Sequence, residues 1–229
     1  MTAPDLRLQS GPHVFVTDLG APTLGEQDRH HLTKSLRLRS GDPLTISDGD
    51  GNWCTARFGE HIEATGPTEH VGAPDYELSL GIALTKAAKP ELAVQKATEI
   101  GIDHVVVFEA QHSVARWDDA KREHNAQRLR VVAREASMQS RRVRIPTVRV
   151  VASLNSLVEN GSTIASPVRA DFTGVAIAGQ HRFVLIGPEG GWSEQERSLL
   201  PAAVNLGPTV LRAETAAIVA TTLMTGSRD

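Results

Sequence analysis

Hydrophobic positions over the first ~70 residues recur in short runs broken by turn residues. His13–Thr17 and Pro43–Ser47 carry β-favouring side chains, and Asp48-Gly49-Asp50-Gly51-Asn52 is a hairpin turn ahead of a third strand over Trp53–Phe58. Between them, Gly25–Arg39 predicts one helix, with Leu32 and Leu36 at i, i+4 and Arg37 and Arg39 close behind. This grammar predicts a small β-barrel. At Val71-Gly72-Ala73-Pro74-Asp75 both periodicities are interrupted, which marks a linker and divides the chain into domains 1–72 and 73–229.

Beyond the linker the pattern changes to alternating strand and helix. Tyr76–Leu84 predicts a strand, and Pro90 sits at the first turn of a helix that Gly101 ends, with Val94, Ala97 and Ile100 as its apolar stripe. His104–Phe108 reads as a buried β-branched strand, followed by a long helix over Asp119–Ser140. Further strands are predicted at Val148–Val151, Ser162–Ser166, Phe183–Ile186 and around Val210. Ser193 opens a helix with capping-box spacing to Glu196, and Glu214–Met224 is an Ala/Thr-rich final helix. Such alternation predicts an α/β domain whose largely parallel sheet is covered on both faces.

A length of 229 residues suffices for a core without disulfide or metal staples, and 22 % charged with 40 % hydrophobic residues is an ordinary globular balance. Apolar stretches fall far short of the ~20 residues a membrane helix needs, and no secretion signal is legible. The expectation is a soluble, cytoplasmic protein. Cys54 is the only cysteine, so an intramolecular disulfide and a multi-cysteine zinc site are excluded; in a barrel strand it reads as a buried thiol. His30-His31 has no companion at metal-ligand spacing, and no metal is expected. The net charge of −3 hides an asymmetry. From Arg116 to Val150 there are ten Lys or Arg against four acids, so that stretch is +6 and the rest of the chain −9. A local polyanion contact such as RNA phosphate and a solvated arginine-rich helix face explain this equally well.

Two segments concentrate candidate chemistry. In Phe183-Val-Leu-Ile-Gly-Pro-Glu-Gly-Gly-Trp-Ser193 a buried strand runs into three glycines and then a capped helix. Ligands of open α/β sheets bind beyond the carboxyl ends of strands, and glycines let backbone approach them; a plain tight turn is the alternative. The spacing matches neither phosphate-loop nor dinucleotide fingerprints. In Asn205-Leu-Gly-Pro-Thr-Val-Leu-Arg-Ala-Glu-Thr-Ala216, Arg212 and Glu214 sit between an apolar strand and an apolar helix, as a structural ion pair or as site groups. No Gly-x-Ser-x-Gly supports a hydrolase.

Taken in order, several segments resemble one family. They are His31-Leu-Thr-Lys-Ser-Leu-Arg37 with Gly41-Asp42, Gln95-Lys-Ala-Thr-Glu-Ile-Gly101, Ser113-Val114 with Trp117, and Glu135-Ala-Ser-Met-Gln-Ser140 with Arg142 and Pro146. Gly187-Pro-Glu-Gly-Gly191, Leu206-Gly207 and Leu211-Arg-Ala-Glu-Thr-Ala216 complete the set. The chain thereby resembles the RsmE-type 16S ribosomal RNA uridine-N3 methyltransferases of the SPOUT superfamily over residues 31–217. It departs from the family pattern at Thr209, at Arg141 in Gln139-Ser-Arg-Arg142, where the family has glycine, and across Ser166–Gln180.

The resemblance implies a PUA-like barrel that helps hold RNA, and a trefoil-knotted α/β domain that binds S-adenosylmethionine in a homodimer. Carried over by motif, the cofactor-binding residues are Thr85, Gly187, Pro188, Glu189, Gly190, Gly191, Leu206, Gly207, Leu211 and Arg212. Arg212 and Glu214 are the candidate catalytic pair, and Lys34, Arg37, Arg39 and Arg142 the candidate contacts to ribosomal RNA. Two other classes stay open: a non-catalytic RNA-binding protein with a degenerate knot domain, and a nucleotide-dependent oxidoreductase, which lacks its glycine fingerprint.

Overall fold

A computed structural model describes residues 6, 9–85, 90–159 and 165–228. They divide into two compact units, residues 1–75 with 137–145 and residues 76–136 with 146–229. The first unit opens with β1 (His13–Phe15) and α1 (Glu26–His30), which continues as a π-helical turn over His31–Ser35. The expected single helix is thus short and changes its winding before Leu36. Arg37 follows in the left-handed region at φ 57°, where the N–H of Leu38 returns to the carbonyl of Leu32 at 2.9 Å.

Strands β2 (Pro43–Ser47), β3 (Asn52–Arg57), β4 (Glu63–Ala64) and β5 (Glu69–His70) complete a five-stranded sheet. β1 lies parallel to β2, and β2 antiparallel to β3 with Ile46 opposite Cys54. The turn between them is pinned by the Asp48 carboxylate, which accepts from the N–H groups of Asp50 (2.8 Å) and Asn52 (3.1 Å). Burial raises that carboxyl's pKa, but these bonds and the Asn52 amide outweigh it, and the net shift is downward from 3.8. Val14, Leu32, Leu44, Ile46, Cys54 and Phe58 form the core, against which Met138 packs. Cys54 is a buried thiol whose pKa burial pushes up.

The departure at Arg141 has a structural basis. Arg141 adopts φ 57° just after the helix Asp119–Gln139, with Arg142 N–H bonded to the Ser137 carbonyl (2.9 Å) and Arg141 N–H to that of Met138 (3.3 Å). This is the left-handed stop that glycine usually supplies. The guanidinium donates to the carbonyls of Leu6 (3.1 Å), Gln9 (2.7 Å) and Gly11, so side-chain bonds offset the strained backbone.

The second unit follows the α/β pattern: β6 (Ser79–Ala83), α2 (Pro90–Ile100), β7 (His104–Phe108), α3 (Asp119–Gln139), β8 (Thr147–Val151), α4 (Leu154–Glu159), β9 (Val168–Ala176), β10 (Phe183–Ile186), α5 (Glu194–Leu199), β11 (Ala203–Asn205) and α6 (Ala213–Thr225). The six strands are all parallel, in the order β11-β9-β10-β6-β7-β8. β6 and β10 are buried at every position, as interior strands of a sheet covered on both faces must be. One core joins the sheet to α2, α3 and α6 through Val94, Leu129 and Ala217; the other joins it to α4 and α5 through Leu154, Phe108 and Leu200.

Three expectations need correction. The strand expected around Val210 is instead β11, and Val210 is loop, 85 % exposed. β9 was not anticipated, and most of the Ser162–Ser166 expectation lies outside the described residues. On α2 the buried residues are Ala93, Val94, Ala97 and Thr98, with Ile100 only half-buried. No helix among the described residues is long and apolar enough to cross a membrane.

Candidate active site

Beyond the carboxyl ends of β10 and β11 lies a cavity of about 440 Å³, within the size range of small-molecule sites. The Ile186–Glu189 stretch leaving β10 forms one side, and Leu206–Gly207 with Thr209–Ala213 leaving β11 another. Ala170–Phe172 of β9, Trp192, Arg197 and Asn205 close it. This is where an open parallel sheet presents ligands, because the chain leaves β10 and β11 towards helices in different cores, α5 in one and α6 in the other.

The wall is held by identifiable bonds. Trp192 donates its indole N–H to the Ala170 carbonyl (2.9 Å) and stacks on Phe108, ring centroids 6.2 Å apart. A Cβ on Gly187 would stand 2.8 Å from the Trp192 ring, so glycine is what lets the chain pass there. Asn205 donates to the Phe172 carbonyl (3.0 Å) and accepts from Gly207 N–H (2.7 Å), which fixes the second loop. Gly207 itself has φ 129°, a backbone state that side chains disfavour. Ser193 and Glu196 form the expected capping box at α5, and Glu196 also accepts from Gln111 N–H (2.8 Å). His112 Nδ1 lies 3.2 and 3.1 Å from the carbonyl oxygens of Gly190 and Gly191, tying the β7 loop to the glycine loop.

Of the residues expected to bind cofactor, Gly187, Pro188, Glu189, Gly191, Leu206, Gly207, Leu211 and Arg212 line the cavity. Thr85 and Gly190 are not among its lining residues; a Cβ on Gly190 would stand 2.9 Å from that of His112. Arg212 is exposed, occupies the N-cap of α6 in extended conformation, and has no ion-pair partner among the described residues. The structural ion pair between Arg212 and Glu214 is therefore absent there. Glu214 sits in the first turn of α6, outside the cavity wall, where a carboxylate complements the helix dipole.

Sequence reading missed Asp171, Trp192, Arg197 and Asn205 as wall residues. The Asp171 carboxylate accepts from Arg169 Nε (3.4 Å) and Arg197 and from the Thr173 N–H (3.1 Å) and hydroxyl (3.0 Å). Burial opposes its charge, but the Thr173 bonds and the Arg197 charge outweigh it and hold its pKa below 3.8.

The four candidate RNA contacts all belong to the first unit. Lys34, Arg37 and Arg39 are exposed, and none of these side chains has a partner among the described residues. Arg142 is half-buried. In the arginine-rich stretch, by contrast, Arg116 bonds the Ala110 and Gln111 carbonyls, Arg122 pairs with Asp119, Arg128 with Glu91 (3.1 Å) and Arg130 with Glu123 (3.4 Å). Arg144 bonds the Val71 carbonyl at 2.9 Å. Much of the +6 is thus engaged within the chain.

This combination, a parallel sheet with a glycine-walled cavity at its carboxyl end and a small β unit carrying free cations, defines a two-unit α/β protein suited to a small molecule and a polyanion. Residues 73–225 match the RNA methyltransferase domain family, and residues 24–60 the RNA methyltransferase PUA domain. The ribosomal RNA small subunit methyltransferase E of Mycobacterium bovis is 34 % identical over 226 residues, covering 89 % of this chain and 86 % of that protein. Its Bacillus subtilis counterpart is 28 % identical, covering 87 % and 88 %. A Legionella pneumophila structure of a putative methyltransferase with bound SAM superposes with a TM-score of 0.83 at 22 % identity, over 95 % of this chain and 98 % of that one, which shows a shared fold. The chain belongs to the ribosomal RNA small subunit methyltransferase E family.

Proposed function

We propose that this protein transfers a methyl group from S-adenosylmethionine to N3 of a uridine in small-subunit ribosomal RNA. The observation that carries the reading is the coincidence of family membership with the cavity walled by Gly187–Glu189 and Leu206–Arg212. The proposal extends to a PUA-like barrel in the first unit, a trefoil knot in the second, domains meeting near residue 73, and a cytoplasmic homodimer.

The cavity fits the cofactor: its volume suits a nucleoside-sized ligand, Trp192 and the β11 loop give it apolar walls, and Gly191 and Gly207 at φ 73° and 129° let the lining loops turn through backbone states that side chains disfavour. When bound, S-adenosylmethionine supplies an electrophilic methyl group on a sulfonium, whose leaving group is a neutral thioether. Uridine N3 carries a proton and becomes nucleophilic only as that proton departs. Arg212, exposed at the cavity and without an ion-pair partner among the described residues, donates to a uracil carbonyl where negative charge grows. Glu189 accepts the N3 proton; unlike Glu214, it lines the cavity. Lys34, Arg37, Arg39 and Arg142 neutralise RNA phosphates.

The test is incubation of purified small-subunit RNA, free and assembled, with the protein and methyl-labelled S-adenosylmethionine, followed by nucleoside mass spectrometry. Label is expected in N3-methyluridine. Label in another nucleoside would overturn the position, and absence of transfer to either RNA form would overturn the activity.

A further inference from the structure

The cavity contains a guanidinium that no motif accounts for. Arg197, on α5, lines the wall with its side chain 42 % exposed and pairs with Asp171 through one terminal nitrogen. Asp171 is only 7 % exposed at its side chain, and its acceptor positions are taken by Thr173, Arg169 and Arg197. Arg169 is anchored in turn to the carbonyls of Leu200 and Pro201, the latter at 2.9 Å. Asp171 is thus a saturated anchor rather than a ligand receptor. Arg197 is the reverse: five donors, and no partner but Asp171 among the described residues. An arginine fixed by one edge and open along the rest is suited to bind a carboxylate through two parallel N–H bonds.

We propose that Arg197, positioned by Asp171, is the carboxylate-binding residue of this cavity and takes the α-carboxylate at the amino-acid end of S-adenosylmethionine. The assignment rests on the reading that the cavity binds that molecule. A phosphate of RNA would meet the same donors, but the wall holds two carboxylates, Asp171 and Glu189, against two cations, Arg197 and Arg212. A polyanion gains nothing from that balance. A single carboxylate on a zwitterionic tail gains a local, directed partner at no long-range cost.

Two thioether ligands separate the tail from the nucleoside: S-adenosylhomocysteine carries the amino-acid end, and 5′-methylthioadenosine lacks it. By calorimetry, Arg197→Ala is expected to weaken S-adenosylhomocysteine about 10- to 100-fold, the range of a lost charge-assisted bond, and to leave 5′-methylthioadenosine within about twofold. Arg197→Lys should recover part of the loss. Asp171→Asn should show the same selectivity with a smaller effect, because the arginine remains but is no longer held. Equal weakening of both ligands, or of neither, would overturn the assignment. So would a variant that keeps its S-adenosylhomocysteine affinity while its RNA binding loses salt dependence, which would place a phosphate on Arg197. If the unsubstituted protein bound neither ligand, the cavity's reading would fail first, and this one with it.

Discussion

The cavity beyond β10 and the exposed segment from Lys34 to Arg39 hold charge in opposite ways. In the cavity, Arg197 is fixed by Asp171, Asp171 by Arg169 and Thr173, and the loop backbones by Trp192 and Asn205. Around Lys34, three cations stand in solvent with no partner among the described residues. The first arrangement fixes positions before any ligand arrives, which is what discrimination of one small molecule requires. The second offers charge without fixed geometry, which suits a flexible polyanion whose affinity comes from released counterions. The arginine-rich stretch after residue 116 shows why composition alone did not separate these cases. Its arginines carry the same formal charge, yet Arg116, Arg122, Arg128 and Arg130 are bonded within the chain.

The sharpest way to break this division is at Arg212, the cavity cation without an ion-pair partner among the described residues. Arg212→Ala is expected to lower single-turnover methyl transfer by about 10²- to 10³-fold, the scale of a lost hydrogen bond to charge that develops in the transition state. Affinities for S-adenosylhomocysteine and RNA should change little. Calorimetry that showed cofactor binding lost in parallel with the rate would make Arg212 a wall residue only.

Acid separates the regions next. Burial and the nearby Arg141 charge depress the pKa of His13 to about 4, only partly offset by the Arg142 backbone. The unfolded chain binds a proton near pH 6.5 that the folded first unit refuses, so this contribution to stability is complete above pH 6.5 and is lost as pH falls towards 4. The loss amounts to roughly 3 kcal/mol. Urea titrations at pH 7 and pH 4.5 should show most of it, and His13→Gln should flatten the dependence. The Asp171 carboxyl is shifted in the direction that favours its charge: burial opposes it, but the Thr173 bonds and the Arg197 charge bring its pKa down from the ordinary carboxylate value.

Gly207→Val is expected to weaken S-adenosylhomocysteine about 10- to 100-fold, since a β-branched side chain at φ 129° must move the loop, while RNA affinity stays the same. The smallest effect is expected from the cations. Replacing Lys34, Arg37 and Arg39 together with alanine should reduce the log–log salt slope of single-stranded RNA binding by about 2, at ~0.7 per phosphate contact, with cofactor affinity unaltered. The pair Arg128→Ala and Arg130→Ala should leave the slope nearly unchanged. An equal change in both sets would erase the distinction between free and engaged cations.

What the sequence disclosed follows from where local pattern and tertiary environment agree. Pro43–Ser47, His104–Phe108 and Phe183–Ile186 were legible to the residue, because strands in the middle of a sheet read as continuous β-favouring runs. The Ser193 cap was legible because capping is a four-residue interaction. β9 was not, since Asp171, Thr173 and Gly174 interrupt its apolar pattern and half of it faces solvent. β11 is three residues long between two prolines, and the β-branched Thr209-Val210 beyond it drew the expectation to a loop. In the site, the first motif loop was visible as a glycine-rich segment and the second through Arg212 and Glu214 set between apolar runs. Asp171 and Arg197 were not, because they lie 26 positions apart and only the fold joins them. Gly190 was assigned to the cavity by its motif, yet its free side faces His112.

The proposed activity joins this cavity and these cations in the modification of one class of nucleotide. It is tested most directly by mapping methylated uridines in small-subunit ribosomal RNA from cells with and without the gene. One N3-methyluridine should disappear with the gene, return with the wild-type copy and fail to return with Arg212→Ala. An unchanged modification pattern in cells lacking the gene would contradict the account.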